Sequence, residues 1–558
     1  MRNRIGILVA LFVAAVFLAS CGGGGETSEK SAAASQGSRA AVEKKYKPAY
    51  GDMIIRGSIG DATVLLPVLA NDGASFDIIN LIYNGLVKYN KDIKLVGDLA
   101  ERWEISEDKL KIRFFLRKNV KWQDGKPFTA RDVEYTYKLY VNPTTPTSYA
   151  SDFLRVKDFR VLDDYTVEVT YGKPYAPALG SWGQGMLPRH LLEGTEVTQS
   201  PLRRHPVGTG PYRFGEWKTG EKIVLNAYKD YFDGRPYINR VLTRVIPDLA
   251  TMFLELKAGR IDQMGLTPLQ FRRQTSSKWF KENFNKYKYL SFNYTYLGYN
   301  LKDWKFKDRL VRQALTTAIN RKSIVQGVLL GLGTVAYTPY KPDTYWYNPN
   351  VKKFPYDPEK AKKMLAEAGW KDLNGDGILE KDGKPFEFTI ITNQGNEMRK
   401  NAATIIQRDL KQVGVRARIR VIEWAAFLKN FIDRRNFEVC LLGWGIGIDP
   451  NQIDIWDSRK TSEHELNFIS YNNKEVDRLL ELGVLTYDRK ERKKYYDKFQ
   501  EIIAEDQPYT FLYVAQTLPI INSRFHGIKP APIGIGYNFD KWYVPKPLQH
   551  HAGTEAHL

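Results

Sequence analysis

Between Phe386 and Val421 the sequence spells strand, helix, strand, and no other stretch restricts the fold as much. Phe386 to Thr392 is an apolar, β-branched run. Asn401 to Val413 turns Ile405, Ile406 and Leu410 to one helical face and stops at Gly414, and Val415 to Val421 alternates Val, Ala, Ile and Val with three arginines. Two strands joined through a helix at this spacing make a βαβ unit, which implies a parallel sheet and a right-handed crossover. Phe437 to Leu442 adds a short apolar strand that runs straight into Gly443-Trp444. Ligands of such sheets gather at the carboxyl ends of the strands, so Gly443 to Pro450 is the first place to look for a site.

Elsewhere the pattern is mixed α and β. Lys111 to Arg117 alternates around Ile112, Phe114 and Leu116 and predicts a strand; Thr129-Ala130-Arg131-Asp132 then reads as a capping box opening a helix with Val133 and Tyr137. Asp163 to Tyr171 predicts another strand. Asp357 is a good N-cap with Pro358 at the first helical position, Ala361, Met364, Leu365 and Ala368 form a stripe, and Gly369 ends it. A chain of 558 residues is expected to divide into two or three domains. The formal charge of +20 comes from lysines and arginines spread beside acids, a solvated basic surface rather than a nucleic-acid site. Aromatic residues make up 13%, enough that some rings are expected to line a ligand cleft beyond those that pack the core.

The N-terminus carries an address. Arg2 and Arg4 precede an apolar run from Ile5 to Leu18, too short to span a bilayer comfortably, and small residues lead to Cys21; residues 1–20 read as a secretory signal peptide. Leu18-Ala19-Ser20-Cys21 resembles the lipobox of bacterial lipoproteins, which implies a diacylglycerol on the Cys21 sulfur and a lipid anchor in the membrane. Gly22 follows the cysteine, so the inner or outer membrane is left open. Residues 21–47, rich in Gly, Ser, Ala and Lys, are expected to form a flexible tether, and 549–558, with His550, His551 and His557, a disordered tail. Cys440 then stands alone, without an internal disulfide, as a small apolar residue in a buried strand.

Five blocks in register resemble one family. They are Leu99 to Trp103 with Phe115 to Val133, Val207 to Val241, Val311 to Ile324, Tyr356 to Trp370, and the strand ending in Gly443-Trp444. The chain is similar to the family 5 extracellular solute-binding proteins, peptide and nickel type receptors of ABC importers. The resemblance implies an α/β, bilobed, periplasmic-binding-protein type II-like fold with two hinged lobes and an extra small domain inserted in the first. Residues 48–80, 200–290 and 515–548 would form lobe I, 81–199 the inserted domain and 291–514 lobe II. It further implies a monomeric receptor on the periplasmic side of the envelope. Such a receptor closes over a peptide ligand and delivers it to permease subunits with a cytoplasmic ATPase, without catalysis or cofactor. Trp424 and Trp444 match the family's cleft tryptophans, and Tyr83 and Tyr299 are counted with them as ligand-binding rings. Peptide-binding members place an aspartate three residues after the second tryptophan, to meet the peptide ammonium. Here Trp444 to Pro450 is one residue shorter and only Asp449 remains, either to meet that ammonium or to shape the turn before Pro450. Alternative ligands in the same class are a nickel complex, a glycan or a modified peptide; His190, His205, His464 and His526 are too scattered for direct metal ligation.

Three motifs are set aside. Gly208-Thr209-Gly210-Pro211 lacks the Lys-Ser or Lys-Thr of a phosphate loop and precedes a strand at Tyr212 to Trp217, so it reads as a structural turn. Asp372 to Glu380 begins like a calcium loop, but its twelfth position is Gly383, and a polar turn is the better reading. Ser106-Glu107-Asp108-Lys109 and Lys218-Thr219-Gly220 spell two penicillin-recognising motifs, but Ser106 does not open a helix and no Ser-Asp-Asn element accompanies them, which argues against a serine hydrolase.

Overall fold

Gly51–Ser58 is the first strand of the protein, whose computed structural model describes residues 46–551. It lies inside a seven-stranded sheet, running parallel to both of its neighbours, Ile238–Val245 and Gln263–Gly265. Lys222–Ala227 and Tyr212–Lys218 continue the sheet on one side, Pro519–Asn522 and Phe284–Lys286 on the other. Lobe I is therefore assembled from separated stretches of chain.

The second seven-stranded sheet holds the βαβ unit. Glu387–Asn393 pairs in parallel with Arg416–Ile422 and, on its other side, with Val439–Gly445. The helix between, Glu397–Lys411, buries Ala402, Ala403, Ile406 and Leu410; Ile405 is only half-buried. It starts earlier than the apolar stripe predicts, because the Asn396 side chain accepts the Arg399 amide and caps it. Asn293–Tyr299, Tyr509–Thr517, Gly333–Val335 and Tyr289–Leu290 complete this lobe II sheet. Gly443 and Trp444 lie within its strand Val439–Gly445, not after it. Cys440 is fully buried there, and burial pushes its thiol up to about 12, so it has no thiolate character.

The chain passes between the lobes twice. Phe284–Lys286 belongs to lobe I and Tyr289–Leu290 to lobe II; Tyr509–Thr517 belongs to lobe II and Pro519–Asn522 to lobe I. Two short crossings side by side are the geometry of a hinge.

The inserted domain carries a four-stranded antiparallel sheet in the order Ala100–Ile105, Lys111–Leu116, Thr166–Tyr171, Val156–Asp163. The single strand expected from Asp163 to Tyr171 is a hairpin corner: one strand ends at Asp163 and the next begins at Thr166. Ala130–Val141 follows the capping box, with the Thr129 amide donating to Asp132 at 2.9 Å. Pro358–Glu367 starts at Asp357 as the sequence predicts.

The C-terminal tail is ordered further than expected. The His550 and His551 amides donate to Asp52 at 3.3 and 3.0 Å, and Arg524 bridges Asp52 and Asp262 in the same buried knot. Hydrogen bonding thus holds the segment through His551; His557 and Cys21 lie outside the described residues. Among the described residues no helix is long and apolar enough to cross a membrane.

Candidate ligand-binding site

Trp424 follows the strand Arg416–Ile422 and opens a short helix whose amides, at Ala425 and Ala426, are capped by Glu423 at 2.9 Å each. Its indole nitrogen reaches across to lobe I and donates to Asp72 at 3.3 Å. Asp72 is itself the N-cap of the helix Gly73–Ile82, accepting from the Ser75 amide and hydroxyl and from Thr63. Gly60 lies under the indole: a β-carbon there would sit 3.2 Å from the ring. Lobe II's Gly395 likewise meets the Pro247 carbonyl of lobe I, where a β-carbon would come within 2.5 Å. The lobes are in contact, and glycines permit the approach.

Trp444 is half-buried on lobe II, where its indole donates to the Tyr509 hydroxyl at 3.2 Å and packs 5.5 Å from the Phe468 ring. Beneath it, Tyr296 stacks on Tyr509 at 3.9 Å, and the buried Tyr294 hydroxyl has no hydrogen-bond partner among the described residues. Arg399 enters the same region. Its Nη1 donates to Asn393 at 2.8 Å, Nη2 lies 2.8 Å from where a Gly443 β-carbon would be, and Nε has no partner. Among the described residues no carboxylate pairs with it, and burial lowers its pKa against the pull of the Tyr513 and Tyr296 hydroxyls.

Asp449 is held from within lobe II. Arg492 grips both carboxylate oxygens, at 2.7 and 2.8 Å, and the Asn451 amide donates at 2.9 Å. The Arg492 side chain is 7% exposed and that of Asp449 30%. Of the two roles left open for Asp449, this geometry supplies the turn and an internal ion pair.

At this end the inserted domain grips lobe II. Arg155 makes a bidentate pair with Glu481 at 2.6 Å, Ser148 donates to the His464 carbonyl at 2.6 Å, and the Tyr487 hydroxyl donates to the Tyr175 carbonyl at 2.9 Å. Two carboxylates face each other across this seam. Asp454 accepts from Ser151, and Asp152 accepts from Tyr175 and Asn451. Burial, with Asp454 beside it, pushes the Asp152 carboxyl up to about 7, against the Tyr175 hydrogen bond.

The other two predicted residues lie elsewhere. Tyr299 is fully buried in the lobe II core, its hydroxyl 2.7 Å from that of Thr510 and its ring on Phe306, so it packs the lobe instead of facing the cleft. Tyr83 ends the helix Gly73–Ile82, 4% exposed, and lines a cavity of about 640 Å³ with Asp98 and Tyr231 on the lobe I side. Trp424 thus meets lobe I at Asp72, Trp444 packs on Tyr509 and Phe468 at its strand end and Asp449 pairs with Arg492. Tyr299, by contrast, packs the lobe II core and Tyr83 lines a lobe I cavity. Asp72, Arg399 and Arg492 were missed: a cap signal marks Asp72, but nothing local marks the other two.

The set-aside motifs are turns. Gly208 and Gly210 press on the Ile82 carbonyl, which accepts from the Gly210 amide at 2.7 Å. In the acidic loop, Asp372, Asp376 and Glu380 bring oxygens within 4.8 Å of one another, but Asp372 accepts from the Gly375 and Gly377 amides and Glu380 from Leu373. Ser106 sits in the turn between Ala100–Ile105 and Lys111–Leu116.

Two lobes joined by paired crossings, with a small domain inserted in the first, define a bilobed solute receptor. The chain belongs to the bacterial extracellular solute-binding proteins, family 5, whose middle-region model matches residues 94–463. It is 37% identical to the oligopeptide-binding protein AppA of Bacillus subtilis (strain 168), over 98% of this chain and 99% of AppA. The structure of B. subtilis AppA in complex with a nonapeptide superposes with a TM-score of 0.86 at 36% identity, covering 90% of this chain and all of that one. NikZ from Campylobacter jejuni, in complex with Ni(L-His), gives 0.80 at 30% identity, over 88% and 99%. Its relatives confirm the bilobed periplasmic-binding-protein fold.

Proposed function

We propose that this protein is the substrate-binding component of an ABC importer, and that it closes its lobes over an oligopeptide. The observation that carries this reading is the half-buried Trp444 at the end of its lobe II strand, beside Arg399, which no carboxylate pairs with among the described residues; together they offer aromatic area and a cation. The nonapeptide held by AppA supports an extended peptide as the occupant. Ligand binding acts by favouring the closed arrangement, in which Trp424 already reaches Asp72, and it does so only through contacts that the open arrangement lacks. A lipid on Cys21 and the tether of residues 21–47 would keep the receptor beside its permease on the periplasmic side of the envelope. The test is native mass spectrometry of protein purified without denaturation, followed by calorimetry with nonapeptides. Copurified peptide and titratable binding are expected; a receptor that carries and binds none would end the peptide reading.

A further inference from the structure

On one face of lobe I the basic residues outrun the acids. Thr267 to Lys288 holds six lysines and arginines and a single acid, Glu282. Glu282 is engaged by Lys278 at 3.7 Å, and Glu255, on the neighbouring helix Leu249–Lys257, by Arg244 and Arg260 at 2.8 and 2.7 Å. Lys286 is used inside the fold. It donates to the Phe271 carbonyl and the Thr275 hydroxyl at 3.0 and 2.9 Å, which ties the turn Gln270–Gln274 to the strand Phe284–Lys286, and Arg272 of that turn lies against Gly331. Lys257, Arg273 and Lys281 are left exposed, and no carboxylate pairs with any of them among the described residues.

The same face exposes apolar side chains. In the short helix Lys278–Asn283 the inward position falls to Phe280, whose ring stacks on Phe253 at 5.6 Å, and Trp279 is turned outward. Trp279 packs against the Phe280 and Phe284 rings at 4.9 and 5.6 Å yet is 45% exposed. Leu254, beside Phe253, is 55% exposed and shares a helix face with Lys257, whose ammonium lies 5.3 Å from the Phe253 ring centre. Cation, rings and indole thus form one connected row. Tryptophan is favoured where an apolar layer meets water, and lysine and arginine where anionic headgroups line that boundary.

We propose that this face docks on an anionic phospholipid bilayer, with Trp279 and Leu254 entering the headgroup layer and Lys257, Arg273 and Lys281 meeting its phosphates. A soluble polyanion would suit the cations but gives the two apolar side chains nothing to enter. A bilayer is at hand under the envelope placement proposed above, on which this docking rests: a coil of the length of residues 21–47 keeps the body within about 30 Å of an anchor at Cys21. The face borders the crossing from Phe284–Lys286 to Tyr289–Leu290, so seating it fixes lobe I and leaves lobe II free to swing.

Vesicle flotation of the full chain carrying Cys21→Ser tests this, because the lipid is then absent and the face acts alone. Vesicles of phosphatidylcholine are compared with vesicles that also contain phosphatidylglycerol, at low and high salt. Binding about tenfold tighter to the phosphatidylglycerol vesicles is expected, and high salt should erase the difference. Lys257→Glu combined with Lys281→Glu should abolish the preference, and Trp279→Ala should weaken binding at least threefold. The two lysines are exposed, so their variant keeps the test open if Trp279→Ala fails to fold. The proposal is overturned if phosphatidylglycerol brings no preference, if the lysine variant keeps it, or if a folded Trp279→Ala binds as the parent does, which would make the face a site for soluble polyanions. Equal binding of the parent and Cys21→Ser chains to phosphatidylcholine would defeat the lipid anchor alone, since the docking face is read from the dependence on vesicle charge.

Discussion

Asp449 and Trp444 stand five positions apart and do different work. The Asp449 carboxylate is occupied by Arg492, so Asp449→Asn strands a guanidinium that is only 7% exposed. Breaking a buried pair from one side costs about 3 kcal/mol. The expected outcome is a lowered melting temperature with nonapeptide affinity changed by less than threefold; a tenfold loss of affinity at unchanged stability would restore Asp449 as a ligand contact. Trp444→Ala should leave the melting temperature near that of the parent and weaken nonapeptide binding tenfold or more by calorimetry. The tryptophans could be recognised from their sequence setting. Arg492 could not, because an ion pair across 43 residues leaves no spacing signature, and Tyr299 misled because a tyrosine in a tyrosine-rich strand reads the same whether it faces a cleft or a core.

Helix starts were legible where a capping residue stands beside a clean apolar stripe, as at Asp357 and Thr129. They were not where polar turns precede the stripe, as between Asn396 and Asn401. Glycines carry the other element-level signal. A β-carbon at Gly208 would lie 1.9 Å from the Ile82 carbonyl oxygen, which closes the helix Gly73–Ile82 against the turn before Tyr212–Lys218. The obstacle is backbone and cannot rotate away. Gly208→Ala is therefore expected to cost about 3 kcal/mol, at the upper end of single substitutions, and denaturant unfolding would measure it. A cost below about 0.5 kcal/mol, the range of surface changes, would mean that this packing does not hold the helix end.

Across the whole molecule, the seam between the inserted domain and lobe II is expected to make closure pH-dependent. Asp152 faces Tyr175 and Arg155 of its own domain and Asp454 and Asp449 of lobe II; burial raises its carboxyl to about 7 from the ordinary 3.8. Opening the seam would return it towards 3.8. Its support for the closed form is thus fully present below 3.8 and drains away as pH rises to about 7, and Asp454, also raised by burial, acts in the same direction. Small-angle scattering of the ligand-free protein should show a larger radius of gyration at pH 8 than at pH 5.5, and Asp152→Asn should flatten the difference. Equal radii in the parent protein would remove Asp152 from the account. None of this was readable from the sequence, since the seam joins residues some 300 positions apart. The split of lobe I came from family resemblance, because local periodicity reports strands but not which sheet they join.

That split has a consequence for synthesis. The strand Pro519–Asn522 sits between Gln263–Gly265 and Phe284–Lys286, so a chain emerging from the ribosome or a translocation pore exposes the edge of Gln263–Gly265 until Pro519–Asn522 arrives. Loss of Pro519–Asn522 would unseat an interior strand of the first sheet, and a nascent receptor carries that open edge through all the synthesis of lobe II.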